Sequence, residues 1–455
     1  MRAGALDCVV STSALELGVD VGALDVCVLN GYPGSVAGAL QRFGRAGRRR
    51  RTALGVLVAS SNLLDQYIAQ HPEFFLGASP EHARVDPDQL LILMDHIRCA
   101  AFELPFRAGE RFGSEDLPAA LDYLAAQGVL HREGDCWHWI ADSYPANAVS
   151  LRSVADGNFV VIDLTDGRKS VIAEVDYSSA ALTLYEGAIY MVQSTPWQVE
   201  KLDWVGRKAF VRATRADYYT DAIDYTKLKI LDQFACDAAV PARCAHGEVH
   251  VVRRVAGYKK IRYYTHENVG YGAVSLPDQE MHTSAVWWEI DPQALEAAFE
   301  SRYEALDGFL GAAFALHHIA ALLSLAEVRD LGRAVGDGNR TWSAVVGADG
   351  RGTARAFDGA EFDVGGAALP FRPAVFLYDN YPGGIGLAAP LHGLRAEVVA
   401  RAADLLAGCA CASGCPACVG PVLARDARDR LPPKAAAARV LALFARSAPP
   451  SAAAR

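Results

Sequence analysis

LDVCVLNGYPGSVAGALQRFGRAGRRRRTALGVLVA, residues 24–59, sets two short Val/Leu-rich runs on either side of a polar stretch rich in glycine and arginine. Continuous apolar runs of this length suit strands buried on both faces, as parallel strands are. Residues 34–51 between them are long enough for one helix, and parallel strands need such a crossover. A further run at 6–12 continues the alternation. Residues 1–80 therefore predict part of a doubly wound parallel sheet.

Working outward, the pattern changes three times. Between 81 and 148, Leu90, Leu91, Leu93, Met94 and Ile97 fit a buried helix. Ser114 is placed to cap a second one, with Leu117, Leu121 and Leu124 on one face and Gly128 at its end. A hairpin over 129–131 and 136–139 follows, which together suggests a winged-helix-like unit. Residues 149–255 turn to period two, with runs at 159–164, 170–175, 188–193, 197–202 and 208–213, and predict a small antiparallel β-barrel. Residues 256–446 read as a mixed α/β domain with one long helix over about 292–330. Residues 447–455 read as a disordered tail. The fold class expected is thus multidomain, α/β and α+β.

The chain has 455 residues, 51% of them hydrophobic and 21% charged, with a net charge of −9. That balance argues against a uniformly basic nucleic-acid binder without excluding one, because a local patch can still be basic. In the first 51 residues Arg2, Arg42, Arg45, Arg48, Arg49, Arg50 and Arg51 outnumber the acids. Met1-Arg2 leads into an apolar alternation without a signal-peptide pattern. The uncharged stretch 308–326 is rich in Ala and Gly and carries His317, His318 and Ser324, so a core helix is expected there and no membrane partner. Ten cysteines, six of them scattered, do not form a secreted disulfide framework, and the cytoplasm is the expected compartment.

Two segments carry phosphate chemistry. Residues 11–20 (STSALELGVD) and 41–48 (QRFGRAGR) stand 20 residues apart across a strand. A phosphoryl-transfer transition state spreads charge over its equatorial oxygens, and a guanidinium meets it with a rigid, permanently charged fork. On a helix, Arg45 and Arg48 would share one face. The pair closely resembles motifs V and VI of superfamily 2 helicases. That resemblance implies arginine fingers at Arg45 and Arg48 and a γ-phosphate contact at Gln41. It places Gly18 and Asp20 near ATP, and Ser11 and Thr12 where the site couples to a DNA backbone. The chain contains no Gly-Lys and no Asp-Glu dipeptide. It therefore has neither a phosphate loop nor the acidic element that holds Mg.

Cys409, Cys411, Cys415 and Cys418 place four thiols within ten residues, with Gly414 and Pro416 supplying a turn. Four thiolates make a closed tetrahedral shell of the kind zinc favours in a structural role. Ligand type alone leaves an iron–sulfur cluster open. Arg253, Arg254, Lys259, Lys260 and Arg262 alternate with Tyr258, Tyr263 and Tyr264. Such a strand suits single-stranded nucleic acid, and equally a solvated amphipathic edge. His317 and His318 are adjacent and point apart on a helix, which favours packing or a hydrogen bond over metal binding. Residues 378–386 (YDNYPGGIG) follow an apolar strand and read as a turn or a phosphate-contacting loop.

Together these elements resemble the mitomycin repair factor A-like group of DEAD/DEAH-box helicases, over nearly the whole chain from residue 6 onward. The resemblance implies an ATP-dependent 3′→5′ DNA helicase of DNA repair, with a partial RecA-like sheet and a C-terminal zinc-binding domain. DNA, single-stranded or as a tailed duplex, is the implied partner. Compared with that group, the first RecA-like domain and the start of the second are absent from the sequence. The chain then reads as a helicase segment that uses ATP and Mg only when the other half is supplied; a stand-alone zinc-containing DNA-binding or scaffolding module, and one half of a split helicase with the other on a separate polypeptide, are the other readings.

Overall fold

A computed structural model describes residues 7–12, 24–47, 52–77, 89–113, 116–147, 149, 157–165, 167, 169–238, 241–336, 342–343, 355–356, 373–420 and 431–446. Its first unit is a parallel pair. β1 (Val26–Asn30) and β2 (Leu54–Val58) lie in register, joined through α1 (Val36–Phe43). Ser35 starts the helix, its Oγ accepting from Gly38 N at 3.0 Å and so satisfying one N–H left over by the first turn. The run at 6–12 does not form the expected strand over its described residues 7–12, and Val10 is 97% exposed. A strand needs a neighbour for its backbone groups, and among the described residues β1 and β2 pair only with each other. The buried Asp65 of α2 (Leu63–Gln70) accepts from Tyr32 N and Ser60 N, both at 2.8 Å, and so fastens the ends of both strands to this helix. α3 (Pro72–Gly77) follows.

The second unit packs α4 (Leu90–Glu103) and α5 (Leu117–Ala126) on three strands, β3 (Phe106–Arg107), β4 (Leu130–Glu133) and β5 (Cys136–Trp139), ordered β3-β5-β4. Leu93, Ile97, Leu121, Leu124 and Trp137 form its core. The helix cap is Asp116, which accepts from Ala119 N at 3.4 Å; Ser114 lies outside the described residues. Gly128, at φ +72°, turns the chain out of α5 as expected.

The third unit holds all five expected strands, β6 (Asn158–Asp163), β7 (Ser170–Asp176), β8 (Ile189–Val192), β9 (Thr195–Asp203) and β10 (Lys208–Ala213). Their order, β7-β6-β10-β9-β8, is an open sheet with β6 and β10 parallel, which corrects the expected antiparallel barrel. The reason is α6 (Tyr177–Thr183), missed in the sequence. Ala180 on this helix, with Leu184 and Tyr185 just beyond it, packs on Phe159, Val161 and Val211, so a helix rather than strand closure covers the apolar face.

β11 (Tyr218–Ala238) and β12 (Ala242–Arg262) are strands of 21 residues each. They begin the largest sheet, ordered β11-β12-β14-β18-β15, with β13 (Asn268–Ala273) also on β12, β14 spanning Gln279–Ile290, β15 Leu331–Gly336 and β18 Ala374–Asp379. The boundary expected near 255 falls inside β12, so one continuous strand serves both sides of it. β16 (Trp342–Ser343) and β17 (Arg355–Ala356) form a separate short pair.

Against one face of this sheet pack α7 (Pro292–Ala298), α8 (Arg302–Ser324), α9 (Ala388–Gly393), α10 (Arg395–Gly408) and α11 (Pro433–Ala445). The helix expected over 292–330 is therefore broken. Asp291 caps α7, Ser301 caps α8, and a 3-10 turn covers Val328–Asp330. The Ala/Gly composition of α8 serves close packing: a Cβ on Gly308 would sit 2.8 Å from Ala436 O, and one on Gly311 2.8 Å from Ala437 Cβ. Leu63, Leu64, Tyr67 and Ile68 of α2 belong to the same core as α8, α10 and α11. The tail 447–455 lies outside the described residues.

Candidate functional site

The four cysteines converge. Cys409 caps α10, Cys411 follows it, and a tight turn with Cys418 N on Cys415 O at 3.0 Å carries the other two. Gly414, at φ +111°, makes that turn possible. Neighbouring sulfurs are 3.5 Å (Cys409–Cys411), 3.7 Å (Cys409–Cys415), 3.5 Å (Cys411–Cys418) and 3.7 Å (Cys415–Cys418) apart, and all lie within 4.8 Å of one another. One ion bonded to four sulfurs at about 2.3 Å needs tetrahedral edges of about 3.8 Å. The shell therefore fits a single zinc-sized ion. An iron–sulfur cluster, whose cysteines radiate from separate iron atoms, needs a wider one. Burial raises the Cys418 thiol, a shift that a bound cation reverses. Lys434, which the sequence reading missed, donates from Nζ to Cys409 O at 2.6 Å and Cys411 O at 2.9 Å. Its ammonium closes the motif onto α11 and offsets thiolate charge.

Of the nucleotide half-site, Gly18, Asp20 and Arg48 lie outside the described residues. Gln41 is exposed on α1. Arg45 is not on a helix face, because α1 ends at Phe43. Gly44 and Gly47 (φ +77°) fold the chain so that Ala46 bridges Leu24 and Gly47 N reaches Leu24 O at 2.9 Å. Arg45 thus projects from a turn fixed at the strand mouth formed by the amino ends of β1 and β2, its Nε donating to Gln41 O at 3.4 Å. Ser11 and Thr12 are exposed, with Ser11 Oγ donating to Thr12 O at 3.0 Å.

The segment 378–386 is a knot. Oδ2 of the fully buried Asp379 accepts from Ile385 N at 2.8 Å, Ser284 Oγ at 3.0 Å and Leu387 N at 3.2 Å. Gly383, Gly384 and Gly386 all have positive φ, the backbone that turns these N–H groups inward. The carboxylate of the chain itself therefore fills the anion position of this loop. Burial pushes the Asp379 carboxyl up against the downward pull of those hydrogen bonds. Gln89 caps α4 through Oε1 on Ile92 N (2.7 Å) and donates from Nε2 to Pro382 O at 3.2 Å, joining the second unit to the knot.

Comparison with known proteins gives three family matches in chain order. They are the helicase conserved C-terminal domain over residues 1–50, the winged helix domain of ATP-dependent helicase HRQ1 over 85–154, and the MrfA Zn-binding domain over 312–419. A crystal structure of the DUF1998 helicase MrfA bound to DNA matches 95% of this chain and 53% of its own at 37% identity, with a TM-score of 0.56. Along nearly its whole length the chain is similar to the C-terminal portion of the MrfA-like helicases. Among curated relatives, the uncharacterized ATP-dependent helicase YprA of Bacillus subtilis is 41% identical over 92% of this chain and 52% of its own length. The ATP-dependent helicase HRQ1 of Saccharomyces cerevisiae is 28% identical over 93% of this chain and 38% of its own. The chain spans about half the length of YprA and less of HRQ1.

In this MrfA-like chain the cations expected on a nucleic-acid strand are engaged within the fold. Arg254 binds Asp278 through two contacts of 2.7 Å. Arg262 lies between Asp217 (3.6 Å) and Glu267 (3.3 Å). Lys259 is buried opposite Asp221, and Lys260 Nζ stands 5.4 Å over the Tyr218 ring. Tyr258 stacks on Tyr185 at 5.0 Å, inside the core of the third unit. Tyr258 thus docks the strand on the third unit, while Arg262 stays exposed on its solvated side.

His317 is buried, with Nε2 2.8 Å from Leu331 O, and burial pushes its pKa down to about 3 from 6.5. Below the unfolded value the unfolded chain takes up a proton that the folded chain refuses. Stability should therefore fall as pH drops from 6.5 towards about 3, by up to about 1.4 kcal/mol per pH unit. Denaturant titrations at pH 7 and 5 should show this slope, and His317→Gln should flatten it. An unchanged slope in the variant would assign the acid sensitivity elsewhere.

Proposed function

We propose that the chain works as the C-terminal half of an ATP-dependent 3′→5′ DNA helicase acting in DNA repair, with one structural zinc on Cys409, Cys411, Cys415 and Cys418. The observation that carries this reading is the β1-α1-β2 unit with its glycine-framed turn, which presents Gln41 and Arg45 at the strand mouth. The order of the three family matches and the identity to YprA support it. Gln41, Arg45 and Arg48 would meet the γ-phosphate of a nucleotide bound elsewhere, with Gly18 and Asp20 beside it and Ser11 and Thr12 towards DNA. Zinc, once bound, holds the motif closed and takes no part in the reaction. The phosphate cradle and the Mg site would come from another RecA-like domain, since this sequence contains neither.

The test is an ATPase and DNA-binding assay on the purified chain, alone and with the phosphate-loop half supplied. Alone, it should bind tailed duplex without turning over ATP. With the other half, DNA-stimulated hydrolysis should appear, and Arg45→Ala should reduce kcat by about 10³-fold, the weight of an arginine finger. Turnover by the chain alone, or an Arg45→Ala complex of full activity, would overturn the proposal.

A further inference from the structure

β12 and β14 carry the same pattern, a glutamate two residues before a histidine: Glu248 and His250 on one, Glu280 and His282 on the other. Period two keeps each Glu and its His on one face of the sheet. The antiparallel register sets His250 directly opposite His282, with Glu248 opposite Ser284 and Glu280 opposite Val252. All four side chains therefore meet in one patch. His250 Nε2 is 3.2 Å from Glu280, and His282 Nδ1 is 3.4 Å from Glu248, each bond running diagonally to the other strand. The two imidazole centres are 5.1 Å apart.

We propose that His250 and His282 form a second, solvent-open site for a divalent transition ion of the zinc class. An ion about 2.1 Å from a ring nitrogen lies about 3.2 Å from the ring centre, so two imidazoles at a tetrahedral angle have centres about 5.2 Å apart. The observed separation matches. Each carboxylate fixes one ring nitrogen as the N–H donor and leaves the other as a lone pair, the support that metal-bound histidines characteristically have. The pair His246 and His392, with centres 4.9 Å apart, differs in that His392 Nε2 faces a backbone carbonyl, Cys244 O at 3.3 Å, in place of a carboxylate. His282 is 64% exposed, which leaves room for water to complete the shell. Such a site exchanges its ion, unlike the enclosed sulfur shell.

The experiment is equilibrium dialysis of the whole chain against micromolar zinc, followed by elemental analysis, beside the double variant His250→Gln/His282→Gln. The wild type should hold one equivalent more than the variant, whatever the cysteines retain, so the result is independent of the cysteine centre. Zinc should also shift the ring NMR signals of both histidines. Glu248→Gln and Glu280→Gln should each weaken this equivalent about 10- to 100-fold. Equal zinc in wild type and double variant, or ring signals that ignore zinc, would overturn the site.

Discussion

Cys418→Ser should leave the chain without its tightly bound zinc and unfold the helical layer around α8, α10 and α11. Cys418 is fully buried and shares one core with Leu316, Leu406 and Val440 from those three helices. A serine there keeps the volume but withdraws one of four thiolates, and three ligands with a weak hydroxyl no longer close the shell. Structural zinc contributes on the order of 10 kcal/mol where folding and binding are one event, as much as the whole stability of many domains. Elemental analysis and circular-dichroism melting check this, with chelator-treated wild type reproducing the variant. Cys136→Ser, at a half-buried cysteine outside the cluster, should keep both zinc and melting point. A Cys418→Ser chain with full zinc and unchanged Tm would remove the structural role.

Asp379→Ala should cost about 3–5 kcal/mol, a large loss for one substitution and one with a named cause. It strands three donors at once: the N–H groups of Ile385 and Leu387 and the hydroxyl of Ser284. The knot also holds Thr283, whose Oγ donates to Asp379 O at 2.8 Å and Tyr381 O at 2.9 Å. Tyr381 in turn donates to Asp330 Oδ1 at 2.8 Å, so the 3-10 turn loosens with it. Asp379→Asn keeps an acceptor oxygen and the shape, and should lose roughly half as much. Urea unfolding of the two variants measures the difference. A loss below about 1 kcal/mol for alanine would show that water replaces the carboxylate without strain.

What the sequence disclosed and what it hid divide along one line. The parallel strands, α1, the hairpin at 130–139 and the cysteine shell are set by neighbours a few residues apart, through period, caps and ligand spacing. What it left open or missed concerns distant partners. The interleaved cations of β12 look available in sequence; Asp278 and Asn380, which bind Arg254 and Arg253, stand 24 and 127 residues away. Lys434 was invisible for the same reason, 25 residues beyond Cys409. The barrel failed because α6 is too short and too Ala-rich to show a clear period. Arg45 was set on a helix because nothing before the fold said that Gly44 would end one.

The two hydrogen bonds to Asp65 have a mechanical meaning. They clamp the carboxyl ends of both strands, the ends opposite the Arg45 turn, to a helix whose opposite side is immersed in the cysteine-bearing core; Arg401 of α10 adds a bond of 2.9 Å to Tyr67 OH. One helix thus carries two loads: its polar start fastens the parallel pair, and its apolar side anchors that pair to the layer that carries the four cysteines.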